Sequence, residues 1–139
     1  MTQKPAPDAL AVAELARRLA SAIAIADAGA ADVAAVAGGE VSDDGAPLPA
    51  HAHADVPGVQ SVTVTRRWEG DVPNAAEIRL APGLSLADLE ARLGSSRAMT
   101  MRKPGDDRVV FEDGAQDATL MATLDRGGDV RSVTVRRDV

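Results

Sequence analysis

Val59-Gln60-Ser61-Val62-Thr63-Val64-Thr65 puts Val62 and Val64 on one side of an extended chain and Ser61, Thr63 and Thr65 on the other. One side suits a core and the other suits water, so the stretch predicts a half-buried strand. Arg66, Arg67 and Trp68 follow it. The same lettering returns as Val130-Arg131-Ser132-Val133-Thr134-Val135, with Arg136 and Arg137 behind. A duplicated helix-plus-sheet unit would explain the echo, and so would strand-like composition arising twice by chance; the flanking segments align only with large gaps.

Downstream of the first copy, Gly70, Asp71, Pro73 and Asn74 predict a turn. Ala76, Ile78 and Leu80, alternating with Glu77 and Arg79, predict a second strand of a hairpin. Ser85 then caps a helix with Asp88 in capping-box position, Leu86, Leu89 and Leu93 on its apolar stripe and Gly94 as its stop. Four strands are expected near 97–103, 108–112, 118–125 and 129–137, and their short Gly- and Asp-rich connections imply an antiparallel meander. Upstream, Asp8 caps a helix whose Val12, Leu15, Leu19 and Ile23 recur at helical spacing, and Asp32 opens a shorter one that Gly38-Gly39 ends. Residues 1–7 read as a disordered tail, 8–139 as one domain, and 40–58, with three prolines and two glycines, as a long loop. The expected class is α+β: N-terminal helices and one central helix packed on one face of a largely antiparallel sheet, with a C-terminal four-strand meander.

The 139 residues suffice for a single core. Trp68 and Phe111 are the only aromatics and tyrosine is absent, so the core is aliphatic, which counts against aromatic ligand pockets and nucleic-acid stacking platforms. The absence of cysteine excludes disulfides, thiolate metal sites and cysteine nucleophiles. Net charge is −6, and residues 1–60 carry three basic against eight acidic groups. That balance disfavours a nucleic-acid partner. The longest apolar stretch, 19–31, is broken by Ser21 and Asp27, so no membrane partner is expected. Asp8 and Glu14 ahead of it depart from an export signal, which makes the cytoplasm the expected location.

His51-Ala52-His53-Ala54-Asp55 places two imidazoles and a carboxylate on one side of an extended chain, so His51, His53 and Asp55 are candidate metal ligands. Over these five residues the spacing resembles the metal-binding stretch of metallo-β-lactamase-fold hydrolases. That resemblance implies a further histidine where Val56 stands and others downstream. The chain has two histidines in all, which leaves a surface site for Zn²⁺ or Ni²⁺, or a plain solvated loop. A hydroxyl nucleophile needs a base, and only those histidines are available, so no catalytic residue is expected. Asp43-Asp44, Asp106-Asp107 and Glu112-Asp113 fall in or beside expected turns, where Asp serves turn geometry.

Arg66, Arg67, Arg131, Arg136 and Arg137 would form one patch for an acidic partner if their two strands were neighbours; the other reading is protection of an exposed strand edge. Trp68 would be a contact anchor or a cover over the core's end. With Asp43 and Asp44 of the acidic front half, Trp68, Arg66 and Arg67 are the candidate partner-binding residues. The order Leu15-Ala16-Arg17-Arg18-Leu19, Asp32-Val33-Ala34-Ala35-Val36 and Leu89-Glu90-Ala91-Arg92-Leu93-Gly94, feeding a meander, resembles small uncharacterised actinobacterial α+β domains and immunity-type proteins. The resemblance implies a non-enzymatic inhibitor or immunity-like protein, monomer or homodimer and without cofactor, which neutralises another protein by surface complementarity. Its rivals are a small acidic secretion-type chaperone or adaptor, and a metal-binding enzyme using the His51/His53 loop.

Overall fold

The computed structural model describes residues 6–25, 28–45, 48–67, 72–98, 107–112 and 118–138. Helix α1 (Ala9–Ile23) begins at Asp8, whose carboxylate accepts the Ala11 N–H at 3.3 Å and satisfies one of the donors left over at a helix start. Its buried stripe includes Val12, Leu15, Leu19 and Ile23. In α2 (Ala30–Ala35) the Asp32 carboxylate reaches back to the Gly29 N–H at 3.0 Å. Helix α3 (Leu86–Leu93) is capped by Ser85 Oγ, which accepts the Asp88 N–H at 3.2 Å. It ends at Gly94, whose φ of +94° favours a residue without Cβ. The Arg17 guanidinium donates to the Arg92 carbonyl, tying α1 to α3.

Eight strands among the described residues form one sheet. They are β1 (Gly38–Asp43), β2 (Ala50–Ala54), β3 (Val59–Arg66), β4 (Pro73–Leu80), β5 (Ser96–Ala98), β6 (Asp107–Phe111), β7 (Ala118–Leu124) and β8 (Val130–Arg137). Their order is β1-β2-β3-β4-β8-β7-β6-β5 and every pairing is antiparallel. Two four-strand meanders are thus joined along a β4–β8 seam. Helix α1 contacts β4, β7 and β8, α2 contacts β1 to β4, and α3 packs on α1. Between helices and sheet lies the core, in which Leu15, Leu19, Ile23, Ile78, Leu89 and Leu120 are fully buried. The alternate strand residues are mostly exposed or half-buried, so no described element covers that second face.

The α+β expectation is overturned: strand makes up 46% of the described residues and helix 26%, in a sheet-dominated fold. The 40–58 segment accounts for much of the difference. Most of β1 and all of β2 lie in it, paired as Asp43↔Ala50, Ser42↔His51 and Val41↔Ala52. Ala50 and Ala52 are buried and His51 and His53 exposed, so the segment keeps strand alternation with alanine as its apolar member. Pro7, placed in the expected tail, is buried, and its backbone lies so near Gly58 that a Cβ there would come within 2.4 Å of it. No helix among the described residues is long and apolar enough to cross a membrane.

Candidate functional site

The uncovered face is read most directly along its cross-strand rows. One row runs Ser42, His51, Thr63 and Glu77 on β1 to β4 and continues as Thr134, Met121, Val110 and Arg97 on β8 to β5. The next runs Ser61, Arg79, Ser132, Thr123 and Arg108. Side chains at opposed positions share a face, so both rows point away from the helices.

Two bulges shape the second row. In β3 the pairs Val59↔Leu80 and Ser61↔Arg79 leave Gln60 without a partner, and in β8 the pairs Val130↔Leu124 and Ser132↔Thr123 leave Arg131 without one. A bulge holds an extra residue and re-aims its side chain, and Gln60 and Arg131 both reach the depression that Arg79 lines. These positions lie inside the repeated Val-x-Ser-Val-Thr-Val lettering, whose origin is now visible. Ser61 and Ser132 both oppose Arg79, Val62 and Val133 oppose Ile78, and Thr63 and Thr134 oppose Glu77. Strands β3 and β8 flank β4 in one register, so both meet the same demand: valines under the helices, hydroxyls on the open face. The topological counterpart of β3 in the second meander is β7, so the echo is no copy of a meander unit.

Gln60, Glu77, Arg79, Arg108 and Arg131 ring a depression of about 340 Å³ with Thr123 and Ser132 between them. Arg79, Arg108 and Arg131 are exposed, and none makes a hydrogen bond or ion pair among the described residues. Three guanidiniums against one carboxylate give the rim a formal +2 on a protein of −6. A second depression of about 320 Å³ is lined by Arg67, Arg136 and Arg137 around Thr65 and the 73–75 stretch of β4.

The residues anticipated for partner contact are distributed differently. Arg66 points under the helices and forms an ion pair with Asp43, the side chains being 2% and 26% exposed. Asp43 also accepts the Gly45 N–H at 2.9 Å. That bond first, and the Arg66 guanidinium second, hold its carboxyl below the ordinary value of 3.8. The pair ties β1 to β3 across β2 and serves the fold. Arg67 and Asp44 are exposed, and Trp68 lies outside the described residues. Strand β4 separates β3 from β8, yet three of the five arginines, Arg67, Arg136 and Arg137, still converge on the second depression, while Arg66 turns under the helices and Arg131 lines the first. Edge protection fails, because the edges are β1 and β5 and both arginine-bearing strands are internal.

His51 and His53 share the open face. His51 Nδ1 lies 3.1 Å from Thr63 Oγ1, and Asp55 follows β2. No group of three or more His, Cys, Asp or Glu side chains able to hold a metal occurs among the described residues, so the three candidate ligands are not brought together as a site. Arg79, Arg108 and Thr123 had no place among the anticipated residues. The alternation of 76–80 already put Arg79 on the wet side, but no single segment states that β4 lies beside β8.

No protein-family model matches the chain, and no curated protein matches it. Among solved structures the fold is similar to that of YjgB from Bacillus subtilis, a DUF4309 family protein. The likeness has a TM-score of 0.57 and 16% identity over 90% of this chain and 97% of that one. At this identity it shows a shared fold and nothing about activity.

Proposed function

We propose that this chain is a non-enzymatic protein-binding domain that presents the uncovered face of its sheet to an acidic partner protein, in the manner of an inhibitor or immunity-like protein. The observation that carries the reading is the set of guanidiniums, Arg79, Arg108 and Arg131, gathered on the open face of a protein of net charge −6 and without a partner among the described residues. Charges left uncompensated within the fold attract and orient an oppositely charged surface, and arginine is enriched where binding energy concentrates. The proposal places this role in the cytoplasm, following the acidic residues ahead of the apolar N-terminal stretch.

Capture from the native host tests it, with wild type and an R79Q/R108Q/R131Q variant run at low and at high salt. The expected result is a defined acidic protein retained by wild type at low salt, released at high salt and absent from the variant. Equal retention by a variant that melts like wild type would overturn the reading. The native mass of the free protein separates a monomeric inhibitor from a dimeric adaptor.

A further inference from the structure

We propose that the depression bounded by β4, β6, β7 and β8 is a binding site for a phosphoryl dianion, free or carried on a larger molecule. It draws on the same three guanidiniums as the proposed protein-binding face, and titration with phosphate alone tests it without any protein partner. Its basis is the row Arg79, Ser132, Thr123, Arg108, in which two arginines stand three strand spacings apart with two hydroxyl-bearing residues between them. Three spacings are roughly 14 Å, so two long side chains face each other across a floor of hydroxyl donors. The β8 bulge adds Arg131 beside Ser132, and the β3 bulge adds the Gln60 amide.

The donor inventory selects the ligand. Each guanidinium offers a planar fork of N–H donors, and the two hydroxyls and the amide add more. A carboxylate has two oxygens for three forks, whereas a phosphoryl group turns three charged oxygens in three directions. With Glu77 counted, the rim carries +2, which balances a dianion and leaves a singly charged phosphodiester under-matched. The guanidiniums spend no bond on the protein itself among the described residues, so none has to be broken to admit the ligand.

The test is an ¹⁵N NMR titration of the full chain with inorganic phosphate and with phosphoserine, and with chloride at matched ionic strength. Saturable shifts at the Thr123 and Ser132 amides and at arginine Nε–H, absent with chloride, are expected. Tighter binding of phosphoserine assigns the site to a carried phosphoryl group, and equal binding assigns it to free phosphate. Arg79→Gln and Arg131→Gln should each weaken binding at least about tenfold, the effect of losing one charge-assisted contact. Glu77→Gln should tighten it several-fold by removing a repulsive carboxylate from the rim, a gain that a structural defect does not produce. Thermal melts establish that each variant is folded, and Arg108→Gln replaces any that is not. Chloride shifts equal to those with phosphate, or wild-type affinity in the arginine variants, would overturn the proposal.

Discussion

Arg66 ends β3 with its guanidinium shut away from water, and Asp43 supplies the carboxylate that answers it. Because the folded state lowers the Asp43 pKa, this group's contribution to stability is complete above its unfolded value near 3.8 and is lost as pH falls through the lower folded value. Asp43→Asn should therefore be less stable than wild type near neutrality, and the two stability curves should converge only once pH has fallen below the lowered folded-state value, where both side chains are neutral. Chemical denaturation across pH measures this; parallel curves would contradict it. Gly39 is a second position where one atom matters, since a Cβ there would lie 1.5 Å from the His53 carbonyl oxygen. Gly39→Ala should cost about 1–3 kcal/mol by forcing β1 away from β2, read as a lowered denaturation midpoint. Neither role is written in the local sequence. Arg66 follows a clean alternating stretch and looks available for contact, and only the sheet order brings Asp43 to it across an intervening strand.

Ala50-His51-Ala52-His53-Ala54 alternates as faithfully as the valine strands do, yet alanine has little strand preference and the histidines invite a metal reading. Alanine serves here because α2, which buries Ala30, Val33 and Ala34, packs against β2 and closes Ala50 and Ala52 off from water. Ala52→Leu should cost about 1–3 kcal/mol by overpacking, whereas His53→Leu on the wet face should change stability by less than about 0.5 kcal/mol. Comparable effects from both would mean the faces are misassigned. The helices were more legible: Asp8, Ser85 and Gly94 announce their ends by side-chain chemistry that needs no distant partner. Strands β3 and β4 were legible for a related reason, each being long enough for alternation to speak. The site was not, because it depends on two bulges and on a seam between strands distant in sequence.

The order of the sheet sets a gradient of protection across the molecule. Strands β4 and β8 are bonded on both sides and lie under α1, while β1 and β5 are the edges among the described strands, β5 with three described residues. Amide exchange should accordingly be slowest in β4 and β8 and fastest in β1 and β5, by orders of magnitude between seam and rim. Equal rates across the sheet would contradict the order. The same seam has a consequence for chains that lack their last strand. Since β8 follows every other described strand in sequence yet fills the middle of the sheet, a chain in which β8 has not docked holds two half-sheets with bare inner borders, β4 on one and β7 on the other. Those borders can recruit a neighbouring polypeptide, so a chain truncated before Val130 should pass into aggregates under conditions that keep the full-length chain dispersed.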